Sequence, residues 1–213
     1  MIDRGSVERR FWRGAADTRR RVTRQGRAPR FDVSPRGDLG EWHDWSAAHV
    51  GSYRREHSPA AGRVAVVCVS MRPGLIDAVA ANVVRQVDVE VELVFVPNHP
   101  DFDRIDLASS FRDVGGVSVV DVESGTSLGT ALNRAMGETS ARFVAKFDDD
   151  DRYGPHHLVD SLRAHAYAGA GVVGKHTYYA EFESSGERLL RFPGNEFRYS
   201  STLAGGTLVI DRE

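Results

Sequence analysis

Four consecutive aspartates, Asp148 to Asp151, form the segment of the sequence with the clearest chemical potential. They follow the apolar run ARFVAKF and precede a helix-initiating Gly-Pro pair. An acidic run is most often a solvated surface, but a position where a strand ends and a helix begins favours a site. Side chains of an extended chain alternate between two faces, so we expect Asp148 and Asp150 on one side and Asp149 on the other.

Two carboxylates a few ångströms apart are costly unless one takes up a proton or a cation lies between them. We favour a cation, and hard oxygen ligands select Mg²⁺, Mn²⁺ or Ca²⁺ over zinc or copper. A calcium EF-hand loop that starts at Asp148 would have Arg152, Tyr153 and Val159 at positions that require an oxygen ligand, a glycine and a glutamate, which excludes that loop. Mg²⁺ and Mn²⁺ leave room for substrate phosphates, so the expected ligand is a diphosphate.

The elements that would position these aspartates begin at Arg63, where short apolar runs start to alternate with helical stretches. The strand-like runs are RVAVVCVSM, VELVFVPN, VSVVDVE, ARFVAKFDD and AGVVGKHTYYAEFE, and the helix-like runs are GLIDAVAANVVRQ, SLGTALNRAMGE and GPHHLVDSLRAHAYAG. This order predicts an α/β fold with a mostly parallel sheet flanked by helices. Ligands of such sheets bind at the carboxyl ends of strands, here residues 70–73, residues 97–100 and the aspartates.

Residues 1–60 are predicted to form an arginine-rich N-terminal extension, and residues 61–213 the α/β domain. The extension has 13 arginines against eight Asp and Glu, and no sustained apolar period. One interpretation is an arm that packs Trp42 and Trp45 on the domain; the other is a basic surface for anionic lipid or an acidic partner. Because the whole chain has 26 arginines and two lysines, we attribute the arginine excess to coding bias rather than to nucleic-acid binding.

The sequence argues against a membrane span, a signal peptide, thiol chemistry, a dinucleotide site and a zinc site. No window approaches the roughly eighteen apolar residues of a membrane span, and the first residues lack a signal-peptide pattern, so we expect a cytoplasmic location. The single cysteine, Cys68, is expected to be a buried apolar side chain. The glycines of GAGVVG, residues 169–174, precede a strand and are expected to end a helix rather than bind a dinucleotide. His156 and His157 have no partner at zinc spacing and are expected on the surface.

From Arg63 to Glu213 the chain resembles the GT-A nucleotide-diphospho-sugar transferases, and most closely the inverting glycosyltransferase family 2. The likeness is carried, in this order, by VAVVCVSMRPGLIDAVAANVVRQ, VELVFVPN, SLGTALNRAMGETSARFVAKFDDDD, RYGP and STLAGGTLVIDRE. The resemblance implies a GT-A (Rossmann-like) sheet. It also implies metal-dependent, inverting transfer of a sugar from a nucleotide-diphosphate donor to a hydroxyl acceptor.

The resemblance implies roles for individual residues. Asp148 and Asp150 would be the D-x-D pair that holds Mg²⁺ or Mn²⁺, with Asp150 the stronger candidate, and Asp149 would contact the ribose. The other expected nucleotide-sugar contacts are Ser70, Arg72, Asn98 and Asn133. For three of these the alternative is structural: a capped turn for the serine, a solvated charge for the arginine, and a tie between a loop and its helix for the second asparagine.

Departures from the family pattern leave the base specificity and the catalytic residue open. VPNHPDFD stands where the family has an Asp-Asp-Gly-Ser stretch, so Asn98 can hydrogen-bond a base edge but supplies no carboxylate. The family's catalytic base follows the segment that reads GGTLVIDRE here, so the base is unknown. Three explanations stay open: the sequence is a fragment that lacks the C-terminal end of the domain, a partner or a different residue completes the site, or the protein binds nucleotide sugars without transferring them. Asp211 and Glu213 are interpreted as surface charges. Lys146 or an arginine would assist departure of the diphosphate.

The expected partners are a nucleotide-diphospho-sugar, with a UDP-sugar as first choice, and a glycan or lipid-linked acceptor, without nucleic acid. The basic extension would add a peripheral contact with the inner face of the membrane. Two alternatives stay open. One is a non-catalytic nucleotide-sugar-binding module that keeps the aspartates. The other, ranked lower, is a sugar-phosphate nucleotidyltransferase, whose glycine-rich loop is missing from SMRPGLID.

Overall fold

The structure is a computed structural model that describes residues 39–182 and 184–213, with side chains from residue 47 onwards. The arginine-rich part of the predicted extension and the packing of Trp42 and Trp45 lie outside the described residues and side chains. Within the described ranges, none of the helices has the length and apolar character that crossing a membrane would require.

A six-stranded sheet in the order β3-β2-β1-β4-β8-β5 forms the centre of the fold. Its strands are β1 (Val64–Ser70), β2 (Val91–Pro97), β3 (Val117–Val119), β4 (Phe143–Phe147), β5 (Val172–Val173) and β8 (Val209–Asp211). Strands β1 to β4 run parallel, whereas β8 is antiparallel to both of its neighbours, β4 and β5. The predicted α/β fold with a mostly parallel sheet is confirmed.

Helices pack on both faces of this sheet. They are α1 (Leu39–Glu56), α2 (Ile76–Val84), α3 (Leu107–Ser110), α4 (Leu128–Gly137) and α5 (His157–Ala168), with 3₁₀ turns at Pro73–Leu75, Pro100–Arg104 and Gly205–Thr207. On β1, Val64, Val66 and Cys68 join the core under α2 and α5, while Ala65 and Val67 join a second core with α4. Burial on both faces explains the unbroken apolar run of β1 and confirms that Cys68 is a buried apolar side chain.

Helix α1 lies within the predicted extension, where the sequence shows no sustained apolar period. Its buried anchor is Tyr53, whose hydroxyl donates to the Asp160 carbonyl of α5 at 2.7 Å. Arg54 adds an ion pair with the Asp160 carboxylate at 2.7 Å. Among the side chains described in this helix, which begin at residue 47, Tyr53 is the one buried apolar side chain, and no wide apolar stripe in the sequence would have predicted the helix.

The segment AGVVGKHTYYAEFE, predicted as one strand, is divided between two sheets. Its first part is the short strand β5, and its second part is β6 (Tyr178–Glu181). Strand β6 pairs antiparallel with β7 (Arg188–Arg191) in a separate two-stranded sheet. Gly169 has φ 58° and ends α5, as predicted for the glycines before β5.

Candidate functional site

The carboxyl ends of β1 and β4 bring the two principal sequence candidates together. The strands are parallel, with Cys68 opposite Phe147, so Ser70 lies beside the first aspartates. The Ser70 hydroxyl donates to Asp149 Oδ2 at 2.6 Å, and its oxygen accepts from the backbone N–H of Arg72 at 3.0 Å. Ser70 and Asp149 are both buried, at 2% and 4% exposure. A hydrogen-bonded pair therefore joins the ends of neighbouring strands.

Arg72 connects two of the aspartates. Its guanidinium donates to both oxygens of Asp149, at 3.2 Å from Nε to Oδ2 and through Nη2 to Oδ1, and Nη1 donates to Asp150 Oδ2 at 2.9 Å. The hydrogen bond from Arg72 holds the pKa of Asp150 below its usual value. Half of the Arg72 side chain is exposed, so a ligand can reach this guanidinium from solvent.

Lys146 of β4 pairs with Asp148, which lies two residues further along the chain, just after the end of the strand. Its ammonium contacts Asp148 Oδ1. Only 15% of the Lys146 side chain is exposed, against 37% of the Asp148 side chain. Three of the four aspartates thus have a cationic partner within the chain itself: Asp148 has Lys146, and Asp149 and Asp150 share Arg72.

The second oxygen of Asp148 faces Gly206, in the turn before β8. Asp148 Oδ2 and Asp151 Oδ2 both lie about 2.5 Å from the point where a Cβ at Gly206 would stand, so these two oxygens are at most about 5 Å apart. Only glycine leaves the space between them open. Two carboxylate oxygens at this separation can ligate one Mg²⁺ or Mn²⁺.

Asp151 is the aspartate whose charge is least compensated. Within the described part of the chain no basic side chain contacts its carboxylate, and the one hydrogen bond that this carboxylate accepts is a long one from the Tyr153 hydroxyl, at 3.5 Å. Desolvation raises the pKa of Asp151, and the negative charges of Asp148 and Asp150 raise it further. A cation between Asp148 and Asp151 would relieve this repulsion.

The pairing of aspartates differs from the expected alternation. After Phe147 the chain turns instead of staying extended, and the Asp151 N–H reaches the Asp148 carbonyl at 3.4 Å. The turn places Asp148 and Asp151 around the glycine, while Asp150 shares an arginine with Asp149. The metal-binding roles expected for Asp148 and Asp150 stay predictions. No described group of three or more His, Cys, Asp or Glu is arranged to hold a metal ion.

Two buried amides, one in helix α2 and one just after its end, fix the aspartate loop. Asn82 Nδ2 donates to the Asp151 carbonyl at 2.8 Å, and its Oδ1 accepts from the Tyr153 N–H at 3.1 Å. Gln86 donates to the Gly154 carbonyl at 3.1 Å. Sequence reasoning missed Asn82, although an amide on the apolar face of AVAANVV is a signal that a buried polar partner exists.

Tyr153 joins the loop to the turn that carries Gly206. Its hydroxyl donates to the Gly206 carbonyl at 2.6 Å and accepts from the Asp148 N–H at 2.8 Å. The buried ring is part of the main core beside Phe147. One side chain therefore links both segments that approach the carboxylate pair.

His157 is not the surface residue that the sequence predicted. Its ring packs against Phe147 and Tyr153, with centroids 5.7 Å and 5.2 Å away. Its Nε2 is buried and has no hydrogen-bond partner among the described residues, and burial lowers the pKa of His157 to about 3. The imidazole is therefore neutral and serves as part of the packing under the aspartate loop.

The two asparagine candidates lie in different environments. Asn98 is buried, and its amide donates to the Thr126 carbonyl at 2.7 Å and accepts from the Gly125 N–H at 3.1 Å. Asn133 is exposed in the middle of α4. Asn98 thus ties the end of β2 to the loop before α4, and its contact with a nucleobase stays a prediction, as does a donor-pocket role for Asn133.

The acidic residues near the end of the described chain form a separate group. Arg142 pairs with Asp211 at 2.8 Å and with Glu213 at 3.1 Å. Hydrogen bonding to Arg142 lowers the pKa of Asp211. These ion pairs agree with the interpretation of both acids as structural surface charges, and they leave the catalytic base unassigned.

The sequence matches no protein-family model and no curated protein. Its structural neighbours include glycosyltransferases. Staphylococcus aureus TarS 1–349 superposes with a TM-score of 0.51 at 16% identity, covering 70% of this chain and 47% of TarS 1–349. The mannosyltransferase PcManGT from Pyrobaculum calidifontis, in complex with GDP-Man and Mn²⁺, gives a TM-score of 0.48 at 20% identity, covering 66% and 46% of the two chains. TarS 1–349 in complex with UDP-GlcNAc gives 0.46 at 18% identity, covering 52% and 33%.

The chain spans about half the length of TarS 1–349 and of PcManGT. At these identities the likeness establishes the fold. The chain has the GT-A type fold of nucleotide-sugar transferases, which confirms the fold expected from the sequence.

Proposed function

We propose that this chain is a glycosyltransferase that takes its sugar from a nucleotide-diphosphate donor. The observation that carries the proposal is the convergence of Ser70, Arg72 and the aspartate run at the carboxyl edge of a GT-A type sheet. In parallel sheets this edge is where ligands bind, because the loops of neighbouring strands meet there. A hydroxyl group of a glycan or lipid-linked acceptor completes the proposed reaction.

The residues at this edge suit a divalent cation. Asp148 and Asp151 turn one oxygen each toward the space left by Gly206, and Asp150 is the next candidate ligand in the run. Hard oxygen donors of this kind favour Mg²⁺ or Mn²⁺, which commonly share their ligand shell with substrate phosphates. When bound, such an ion supplies Lewis-acid stabilisation of the negative charge on the departing diphosphate.

Arg72 is the proposed phosphate-binding residue. Its planar guanidinium is half exposed and already forms hydrogen bonds with carboxylates, and the same fork geometry matches phosphate oxygens. The Asp149 carboxylate holds this guanidinium by accepting two hydrogen bonds from it. A carboxylate accepts up to about four hydrogen bonds, so Asp149 retains capacity for the ribose contact that the sequence suggested.

A non-catalytic nucleotide-sugar-binding module is the second candidate. The observation in its favour is that Asp211 and Glu213, the acids near the end of the described chain, are both engaged by Arg142. Both candidates share the donor site and differ only in turnover. A cytoplasmic location at the inner face of the membrane extends the first candidate and rests on the sequence alone.

Titration of the purified chain with UDP and with GDP, each with and without Mn²⁺, tests the shared donor site. We expect one nucleotide to bind at least tenfold more tightly with Mn²⁺, and Asp148→Asn and Asp151→Asn to remove that gain. Asp113→Asn, in an exposed ion pair with Arg112, is the matched control. Release of free nucleotide from a panel of donor sugars then separates the enzyme from the binding module. If neither nucleotide responds to Mn²⁺, the proposed metal-assisted donor site is wrong.

A further inference from the structure

Lys146 lies in an unusual place for a lysine. It is one of two lysines in the chain, it occupies an interior strand of the sheet, and its side chain is largely buried. Its aliphatic stem lines a small apolar cavity together with Leu132 and Met136 of α4. The stem thus lies among apolar side chains, and the ammonium contacts Asp148 Oδ1.

The two carboxylate oxygens of Asp148 have different neighbours. Oδ1 contacts the ammonium of Lys146, and Oδ2 faces Asp151 across the space above Gly206. A divalent ion bound to Oδ2 would stand within a few ångströms of this ammonium, and two cations on one carboxylate repel each other. The ammonium and the divalent ion therefore compete for Asp148.

We propose that Lys146 is an exchangeable counter-ion: it neutralises Asp148 while the site holds no divalent ion, and it binds the donor's diphosphate once the ion has taken its place. This inference rests on the proposed function, because it needs the donor and the ion to bind at this edge. Rotation about the terminal bonds of the side chain is sufficient, since the stem is largely buried and its ammonium already lies beside Asp148. A diphosphate there gives the released ammonium a new anionic partner.

The exchange predicts opposite effects on two ligands, which a purely structural salt bridge does not. Removing the charge of Lys146 removes a competitor for Asp148, so Mn²⁺ alone should bind more tightly. The same change removes a partner of the diphosphate, so UDP should bind less tightly when Mn²⁺ is saturating. If Lys146 only held Asp148 in position, both affinities would fall together.

The test is binding of Mn²⁺ alone, measured as free Mn²⁺ by electron paramagnetic resonance, followed by calorimetric titration of UDP at saturating Mn²⁺. For Lys146→Gln we expect Mn²⁺ affinity to rise about three- to tenfold and UDP affinity to fall by a similar factor, the range of a partly exposed ion pair. Lys146→Arg, which keeps the charge, should restore both affinities to within about twofold of the wild type.

Arg188→Gln is the matched control, because it removes one positive charge from an exposed ion pair with Glu181 in the separate two-stranded sheet. It should leave both affinities unchanged. Circular dichroism confirms that each variant is folded. Unchanged or weaker Mn²⁺ binding by Lys146→Gln overturns the exchange while the proposed function stands, provided that wild-type UDP binding depends on Mn²⁺. If wild-type UDP binding is indifferent to Mn²⁺, both proposals fail.

Discussion

Tyr153 stacks flat on Phe147, with ring centroids 3.7 Å apart and planes inclined by 4°. The stack holds the tyrosine hydroxyl between the Asp148 N–H and the Gly206 carbonyl, which belong to segments far apart in sequence. Phe147, the last residue of β4, thereby supports the Tyr153 hydroxyl, whose hydrogen bonds hold the Gly206 turn beside Asp148 and Asp151. Both the stability of this edge and its ligand affinity should depend on that one hydroxyl.

Tyr153→Phe keeps the stacked ring and removes the hydroxyl. We expect the free energy of unfolding in urea to fall by about 1–3 kcal/mol, because a part-buried N–H and a buried carbonyl lose their partner. Mn²⁺-dependent nucleotide affinity should fall as well. Tyr199→Phe is the control, since the Tyr199 hydroxyl makes one exposed hydrogen bond, to the Ala168 carbonyl at 2.8 Å. Equal, small losses in the two variants would contradict the bridging role of Tyr153.

Gly206→Ala tests the space between the carboxylates. The backbone of Gly206 is outside the left-handed region, so alanine is tolerated conformationally, but its Cβ would meet the oxygens of Asp148 and Asp151. These side-chain ends can move aside, so we expect stability to change by less than about 1 kcal/mol while Mn²⁺ affinity falls at least tenfold.

Gly205→Ala is the control for that experiment, because a Cβ at Gly205 would meet open space. Calorimetry with Mn²⁺ on both variants gives the comparison. Full Mn²⁺ affinity in Gly206→Ala would show that Asp148 and Asp151 do not jointly bind the ion.

Asn82→Ala removes the amide that holds the aspartate loop from α2. The Asp151 carbonyl and the Tyr153 N–H lose their partners, so we expect a loss of about 1–3 kcal/mol in unfolding free energy. Amide hydrogen exchange across residues 151–155 should quicken. Asn133→Ala, at an exposed helical position, should be neutral or slightly stabilising. Unchanged exchange in the loop of Asn82→Ala would mean that other contacts suffice to hold it.

His157 should make stability depend on pH. In the folded chain burial lowers the pKa of His157 from 6.5 to about 3. Between these values the unfolded chain binds the extra proton, so stability is complete above about pH 6.5 and declines as pH falls toward 3, by at most about 1.4 kcal/mol per pH unit.

His157→Phe should flatten that decline, because the phenyl ring fills the same apolar site and takes up no proton. The flattening is partial, since burial also lowers the pKa of His165. Urea unfolding at pH 7.5, 6 and 5 measures the slope. The neighbouring His156, which makes no side-chain capping hydrogen bond, supplies the control His156→Gln. An unchanged slope in His157→Phe would exclude His157 as its source.

The sequence predicted those residues of the site whose positions follow from the pattern of apolar strands along the chain. Ser70 and the aspartates each follow an apolar strand, and the ends of parallel strands meet at one edge, so their proximity could be inferred. The turn after Phe147 could not, because an extended continuation fits the sequence equally well. It changes which acids face each other, and Asp151 becomes the neighbour of Asp148.

The contacts that Gly206 and Asn82 make with the aspartate loop were beyond sequence reasoning for a different reason. Gly206 reaches the aspartates only because β8 enters the sheet antiparallel beside β4, and nothing in GGTLVID encodes that placement. Asn82 requires knowledge of which face of α2 meets the loop. Both depend on long-range packing, whereas periodicity reports only on neighbours along the chain.

Strand β8 separates β4 from β5, and the turn that leads into it carries Gly206. Detachment of β8 would expose the edges of β4 and β5, and exposed strand edges can pair with other chains. The same movement would separate the Gly206 carbonyl from the Tyr153 hydroxyl. Loss of the proposed metal site and the start of aggregation would then occur together. A bound ligand would stabilise the attached position of β8 and thereby reduce aggregation at high temperature or high protein concentration.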